Sequence, residues 1–124
     1  MDNKQILETE FSAKFIELMQ NRMIVSFYKY GKVVEAYPHK VDAIGSMTER
    51  LRKYAETGNT EWLVDAANFA MIEFMYPRHP HAHFEGTDDD ASTGRRQIKG
   101  GTLTKQDNAS VGKNPNSKTA QFRD

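Results

Sequence analysis

Two sets of polar residues in this chain sit at spacings that a helix converts into a shared face. Glu61, Asp65 and Asn68 follow one another at four and three residues, and Asp42, Ser46 and Glu49 repeat the pattern, so each set runs along one edge of a helix. Facing helices that present carboxylates in this way can hold a hard cation such as Mg²⁺, which takes oxygen ligands and keeps waters for phosphate chemistry. Such a site needs at least three of Asp42, Glu49, Glu61 and Asp65 to converge. Two solvent-facing stripes would look the same in sequence. Asn68 leans towards the first reading, because Asn is an indifferent helix former and lies here beside an alanine-rich packing face.

Other residues have weaker chemical signatures. His79, His81 and His83 alternate, which in an extended segment puts three imidazoles on one side, and imidazole is a ligand for zinc and nickel. Neither cysteine nor an H-x-x-x-H spacing accompanies them, and the neighbouring prolines suggest a rigid, extended exit from a helix. Thr87–Arg96, TDDDASTGRR, could fold as an acidic turn onto Arg95 and Arg96, or hold an anion through backbone N–H groups and guanidinium forks. Lys29-Tyr30-Gly31 lacks the strand–loop–helix setting of a phosphate-binding loop.

The elements that position these residues are helical. From about Thr9, the residues Phe11, Phe15, Leu18, Met19, Arg22 and Met23 recur at three- and four-residue steps, a helical period. Thr9 or Ser12 can cap this helix, which continues through Met23–Tyr28 to Gly31. A connector containing Pro38 follows. A second helix spans about Val41–Glu56, with Ile44, Met47, Leu51 and Tyr54 along its apolar stripe, and Gly45 marks a weak point or a close helix approach. The third, within Gly58–Pro77, is capped by Asn59 or Thr60, carries Glu61 in its first turn, and shows Leu63, Ala66, Ala67, Ala70, Met71 and Phe74 as its apolar stripe. The short link between the last two implies an antiparallel hairpin. The expected fold is therefore an all-α bundle of about three helices over residues 1–84. A polar tail, 85–124, is expected to be extended or disordered in isolation.

Composition narrows the classes. The 124 residues contain no cysteine, which excludes disulfides, thiolate metal sites and a cysteine nucleophile. No apolar run spans a bilayer and the N-terminus is not a secretion signal, so no membrane role is expected and the cytoplasm is the expected compartment. Seventeen basic residues balance seventeen acidic ones, so nucleic acid is not the expected partner, although the tail beyond Arg95 is modestly basic. Mean hydropathy is −0.73, and most apolar side chains precede Phe84. So small a core favours a homo-oligomer.

Lys29-Tyr30-Gly31 at the end of the first helix, the charged second helix, and GNTEWLVDAANFAMIEF at 58–74 together resemble the MazG-like all-α nucleoside triphosphate pyrophosphohydrolases, the small bacteriophage-type members most of all. The resemblance covers about residues 9–84. It implies a helical core in which helix carboxylates hold Mg²⁺ and an activated water releases pyrophosphate from a (d)NTP. Glu61, Asp65 and Asn68 match the family's later acidic helix, and Lys29 and Gly31 its lysine–aromatic–glycine element. The family's earlier pair of glutamates three residues apart has no counterpart, since Glu49 is followed at that spacing by Arg52.

Two functional readings follow, with a structural one beside them. In one, Asp42, Glu49, Glu61 and Asp65 hold Mg²⁺ and act on a nucleotide or small phosphorylated ligand contacted by Lys29, Arg50, Asn68 and Arg95. In the other, a non-catalytic phage accessory protein sequesters a nucleotide signal or inhibits a host defence protein in the host cytoplasm. A purely structural, oligomeric helical module is the third alternative.

Overall fold

The computed structural model describes residues 1–87 and Ile98, and every regular element among them is helical. In chain order these are α1 (Asn3–Glu10), α2 (Ala13–Tyr30), α3 (Val33–Ala36), α4 (Ala43–Thr57) and α5 (Glu61–Met75). The chain divides into two units, Met1–Ala82 and His83–Asp124, and all five helices belong to the first. The tail expected over 85–124 lies almost wholly outside the described residues.

Side chains at the helix ends account for most boundaries. Asp2 accepts from the Gln5 N–H while the Gln5 side chain accepts from the Asp2 N–H, a reciprocal capping box that starts α1. This helix was not expected from the apolar pattern, and it buries no residue. The long first helix therefore begins later than Thr9: Ser12 Oγ accepts from the Phe15 N–H at 2.9 Å and caps α2. Gly31 ends it at φ +86°, a conformation that glycine adopts without strain. In the connector, α3 makes a single turn and Tyr37 is extended before a cis bond to Pro38.

Asp42 is the N-cap of α4 and accepts from the Gly45 N–H at 3.0 Å. A Cβ at position 45 would meet the Asp42 carboxylate, so the glycine makes room for the cap and not for a neighbouring helix. Gly58, at φ +74° in the left-handed region, closes the helix. At the start of α5 it is Asn59, not Thr60, that supplies the side-chain acceptor, taking the Glu61 N–H at 3.0 Å. Before Pro77, Tyr76 ends the helix as expected.

The central element is α5. Asp42 at the start of α4 lies 3.6 Å from Arg78 beyond the end of α5, while Lys53 near the end of α4 stacks on Trp62 at the start of α5. The two helices are therefore antiparallel. On its other flank α5 meets α2, also antiparallel: Met19 pairs with Asn68, and Arg22 with Asp65 and Glu61. The buried apolar residues among those described are Ala43, Val64, Ala66 and Ile72, with Asn68 beside them. Helix α2 turns Phe15, Met19, Met23 and Ser26 inward, each half-buried.

Two expected stripes are rotated in the fold. On α4 the inward row is Ala43, Met47, Arg50 and Tyr54, leaving Ile44 and Leu51 exposed. On α5 the deepest row is Val64, Asn68 and Ile72, while Ala70 and Phe74 face outward. Periodicity finds an apolar face but cannot tell which edge of it the neighbouring helices will cover.

Candidate ligand-binding site

Arg50 sits on the inward side of α4, one turn after Ser46 and one before Tyr54. Its guanidinium carbon lies 5.1 Å from the Phe69 ring centroid and 5.8 Å from that of Trp62, and the Lys53 ammonium lies 5.2 Å from Trp62. Both cations rest against aromatic faces, whose negative quadrupole attracts them. Neither makes an ion pair with any described residue, and Arg50 Nε is buried with no hydrogen-bond partner among them. Tyr37 comes near from the connector. Burial pushes its phenol above the ordinary tyrosine value, and the Arg50 charge pulls the other way.

Burial makes the missing counter-charge matter. A guanidinium partly withdrawn from water has lost hydration that a ring face replaces only in part, so it keeps a strong demand for an anion. An Arg fork, a Lys point charge and an indole plane together suit a phosphate joined to a planar group. A carboxylate that feels both cations is Glu49, which is committed elsewhere: its bond to Arg52 holds it below the usual carboxylate range, with the Lys53 and Arg50 charges adding to the effect.

The remaining carboxylates are distributed among arginines. Asp42 caps α4 and faces Arg78 at 3.6 Å. Glu49 and Glu56 both engage Arg52 on the outer side of α4. Glu61 and Asp65 share Arg22, at 3.4 Å and 3.2 Å. Asp42 and Glu61 thus lie at opposite ends of the hairpin, a helix length of roughly 20 Å apart, too far to share one ion. Of the four expected ligands only Glu61 and Asp65 come together, and no group of three metal-ligating side chains is found among the described residues.

Asn68 is not a surface ligand. It is 5% exposed, and its side-chain amide donates to the Met19 carbonyl of α2 at 3.1 Å. Lys29 is exposed in the last turn of α2, where a cation complements the helix dipole. Arg95 falls outside the described residues. The histidine segment is a turn and not the expected extended exit: the Ala82 N–H returns to the His79 carbonyl at 3.2 Å and the His81 N–H reaches His79 Nδ1 at 3.0 Å. Glu73 holds the segment's start by accepting from the Arg78 and His79 N–H groups.

Sequence reasoning named Arg50 but not Lys53, Trp62, Phe69 or Tyr37. The available signal was a pair of cations three residues apart on the inward edge of an amphipathic helix, opposite the only tryptophan in the chain. Arg22 was also missed as a partner for the acids, because it reads as an interruption of an apolar row. Comparison with protein-family models, curated proteins and solved structures found no match for this chain.

Proposed function

We propose that this chain binds a small phosphorylated ligand, a nucleotide foremost, without turning it over. The binding site consists of Arg50 and Lys53, which take the phosphate, Trp62, which takes the planar group, and Tyr37 and Phe69, which shape the surroundings. One observation carries this reading: two cations share aromatic faces and make no ion pair with any described residue, while every carboxylate of the expected metal set already has an arginine. The role is that of a phage-type accessory protein acting in the cytoplasm of its host. There it would sequester a nucleotide signal or, with that ligand bound, act on a host protein.

A Mg²⁺-dependent (d)NTP pyrophosphohydrolase is the second reading. It is favoured by the adjacency of Glu61 and Asp65 on α5 and by the family resemblance. In it, Arg22 would yield the two carboxylates to the ion, and the remaining ligands would be waters and phosphate oxygens.

Isothermal titration of the full chain with a panel of ribo- and deoxynucleotides, with and without Mg²⁺, alongside a pyrophosphate assay, separates the readings. Saturable binding without pyrophosphate, lost in K53Q and R50Q and retained in E61Q, is the expected result. Pyrophosphate release that needs Mg²⁺ and disappears in E61Q and D65N would establish the enzyme instead. Absence of both binding heat at two temperatures and pyrophosphate release across the panel would leave neither reading standing.

A further inference from the structure

The hairpin of α4 and α5 has two edges, and the ligand cluster occupies one of them. Arg50 and Lys53 lie over Trp62 and Phe69, so these four mark that edge. Helical spacing puts Ile44 and Leu51 on the opposite edge of α4, beyond Ala43 and Met47, and Leu63, Ala67, Ala70 and Phe74 on the opposite edge of α5, beyond Ala66. Phe74 is 75% exposed, Ile44 and Leu51 43% each, Ala70 is exposed, and Leu63 and Ala67 are half-buried. No charged residue occurs between Asp65 and Glu73.

We propose that this face is where a second copy of the chain docks, with the two α5 helices antiparallel across a two-fold axis. The order of side-chain sizes along the register favours a copy over a foreign partner. The α5 stripe reads large, small, small, large, and its positions are symmetric about the point between Asn68 and Phe69. A two-fold axis there sets Leu63 against the partner's Phe74 and Ala67 against the partner's Ala70. Alanines at the crossing let the backbones approach closely, and the bulky residues close the two ends. An isologous contact requires this self-complementarity, whereas a foreign partner would not.

The area agrees. Phe74 alone offers on the order of 150 Å², and the whole face offers roughly 400 Å², the size of the largest, often functional, apolar patch of an ordinary monomer. A standard interface buries about 800 Å² per partner and is only a little over half apolar, so a face of this size supplies most of the apolar part. The chain's own tail is a poor alternative occupant. Beyond residue 87 its large apolar side chains are Ile98, Leu103, Val111 and Phe122, at spacings that match neither a helix stripe nor a strand face.

Sedimentation velocity of the full chain tests the assignment. The wild type is expected to be a dimer. A70E and F74S are expected to weaken it by on the order of tenfold or more while keeping helical circular dichroism, and F27S, on the exposed flank of α2, is expected to leave it intact. Because the chain has no cysteine, single cysteines report the register even if a charged variant fails to fold. A mixture of A67C and A70C chains should form a disulfide-linked dimer on mild oxidation, and E17C should not. A monomer at every soluble concentration, a dimer indifferent to folded A70E and F74S, or no A67C–A70C cross-link would each overturn the proposal.

Discussion

Asn68 and Arg50 are both polar residues drawn towards the α5 interior, and burial gives them opposite roles. Asn68 ties α5 to the Met19 carbonyl, so N68A should cost about 1–2 kcal/mol. N68D should cost more, because it places a carboxylate at a site 5% exposed. Urea denaturation of the two variants measures the order. Arg50 makes no ion pair among the described residues, and its Nε has no hydrogen-bond partner there. R50M keeps the apolar stem and removes a desolvated charge, so it should leave stability unchanged or raise it while ligand binding falls by about tenfold or more. A parallel loss of both would mean that Arg50 is structural. Tyr37 gives the pH signature. Its phenol titrates above the ordinary tyrosine value because it is partly buried, so the folded state favours the neutral form. That contribution is complete below the unfolded-state value and is lost as pH rises through the folded one. Stability on the alkaline limb should therefore fall more steeply in the wild type than in Y37F, read as urea midpoints across an alkaline pH series.

At the scale of elements, the N-terminus of α4 shows local chemistry overriding propensity. Glycine inside a helix ordinarily costs about 1 kcal/mol relative to alanine, yet a methyl group at position 45 would press on the capping carboxylate of Asp42. D42A should cost about 1 kcal/mol through loss of the cap. G45A should gain little or nothing in the wild type and should stabilise clearly once D42A has removed the carboxylate. A double-mutant cycle by thermal denaturation reads this coupling directly. The cap also accounts for one expected metal ligand. Asp42 is held by the Gly45 N–H and Arg78, and withdrawing it for an ion would release the first turn of α4. Glu61 and Asp65 stand in a similar relation to Arg22, which links α2 to α5.

For the whole molecule, the notable fact is how little is buried. The buried apolar residues among those described are two alanines, a valine and an isoleucine, a slight core for a unit of about 80 residues. Mass action then sets a requirement. If a second copy covers the α4–α5 face, the melting temperature must rise with protein concentration. Differential scanning calorimetry over about a hundredfold range of protein concentration should show the rise in wild type and its loss in A70E. No helix among the described residues is long and apolar enough to cross a membrane, so the exposed apolar face is not part of a helical span. The dimer face and the ligand cluster lie on opposite edges of one hairpin, and occupying the first leaves Arg50, Lys53 and Trp62 open.

What the sequence determined by itself was local. The helical period, the glycines at 31 and 58 and the proline at 77 specified α2, α4 and α5, because backbone sterics and capping bonds reach only a few residues; the start of α2 stayed open between Thr9 and Ser12. The α1 helix was also legible, through the Asp2–Gln5 capping box, but its lack of a packed face hid it from a search for apolar periodicity. Tertiary structure alone decided which edge of each helix turned inward. A carboxylate stripe looks alike whether it meets an ion, a solvent layer or an arginine from another element; Arg22 and Arg78 are set beside Glu61, Asp65 and Asp42 only by the fold, whereas Arg52 reaches Glu49 and Glu56 through the spacing of α4 itself. The same rotation put Arg50 and Lys53 against Trp62, and turned Phe74 and its alanines outward. Side-chain charge and size were written in the chain, and so were the pairs within α4, but whether Asp42, Glu61 and Asp65 are neutralised depended on distances between elements, which no spacing within one helix can supply.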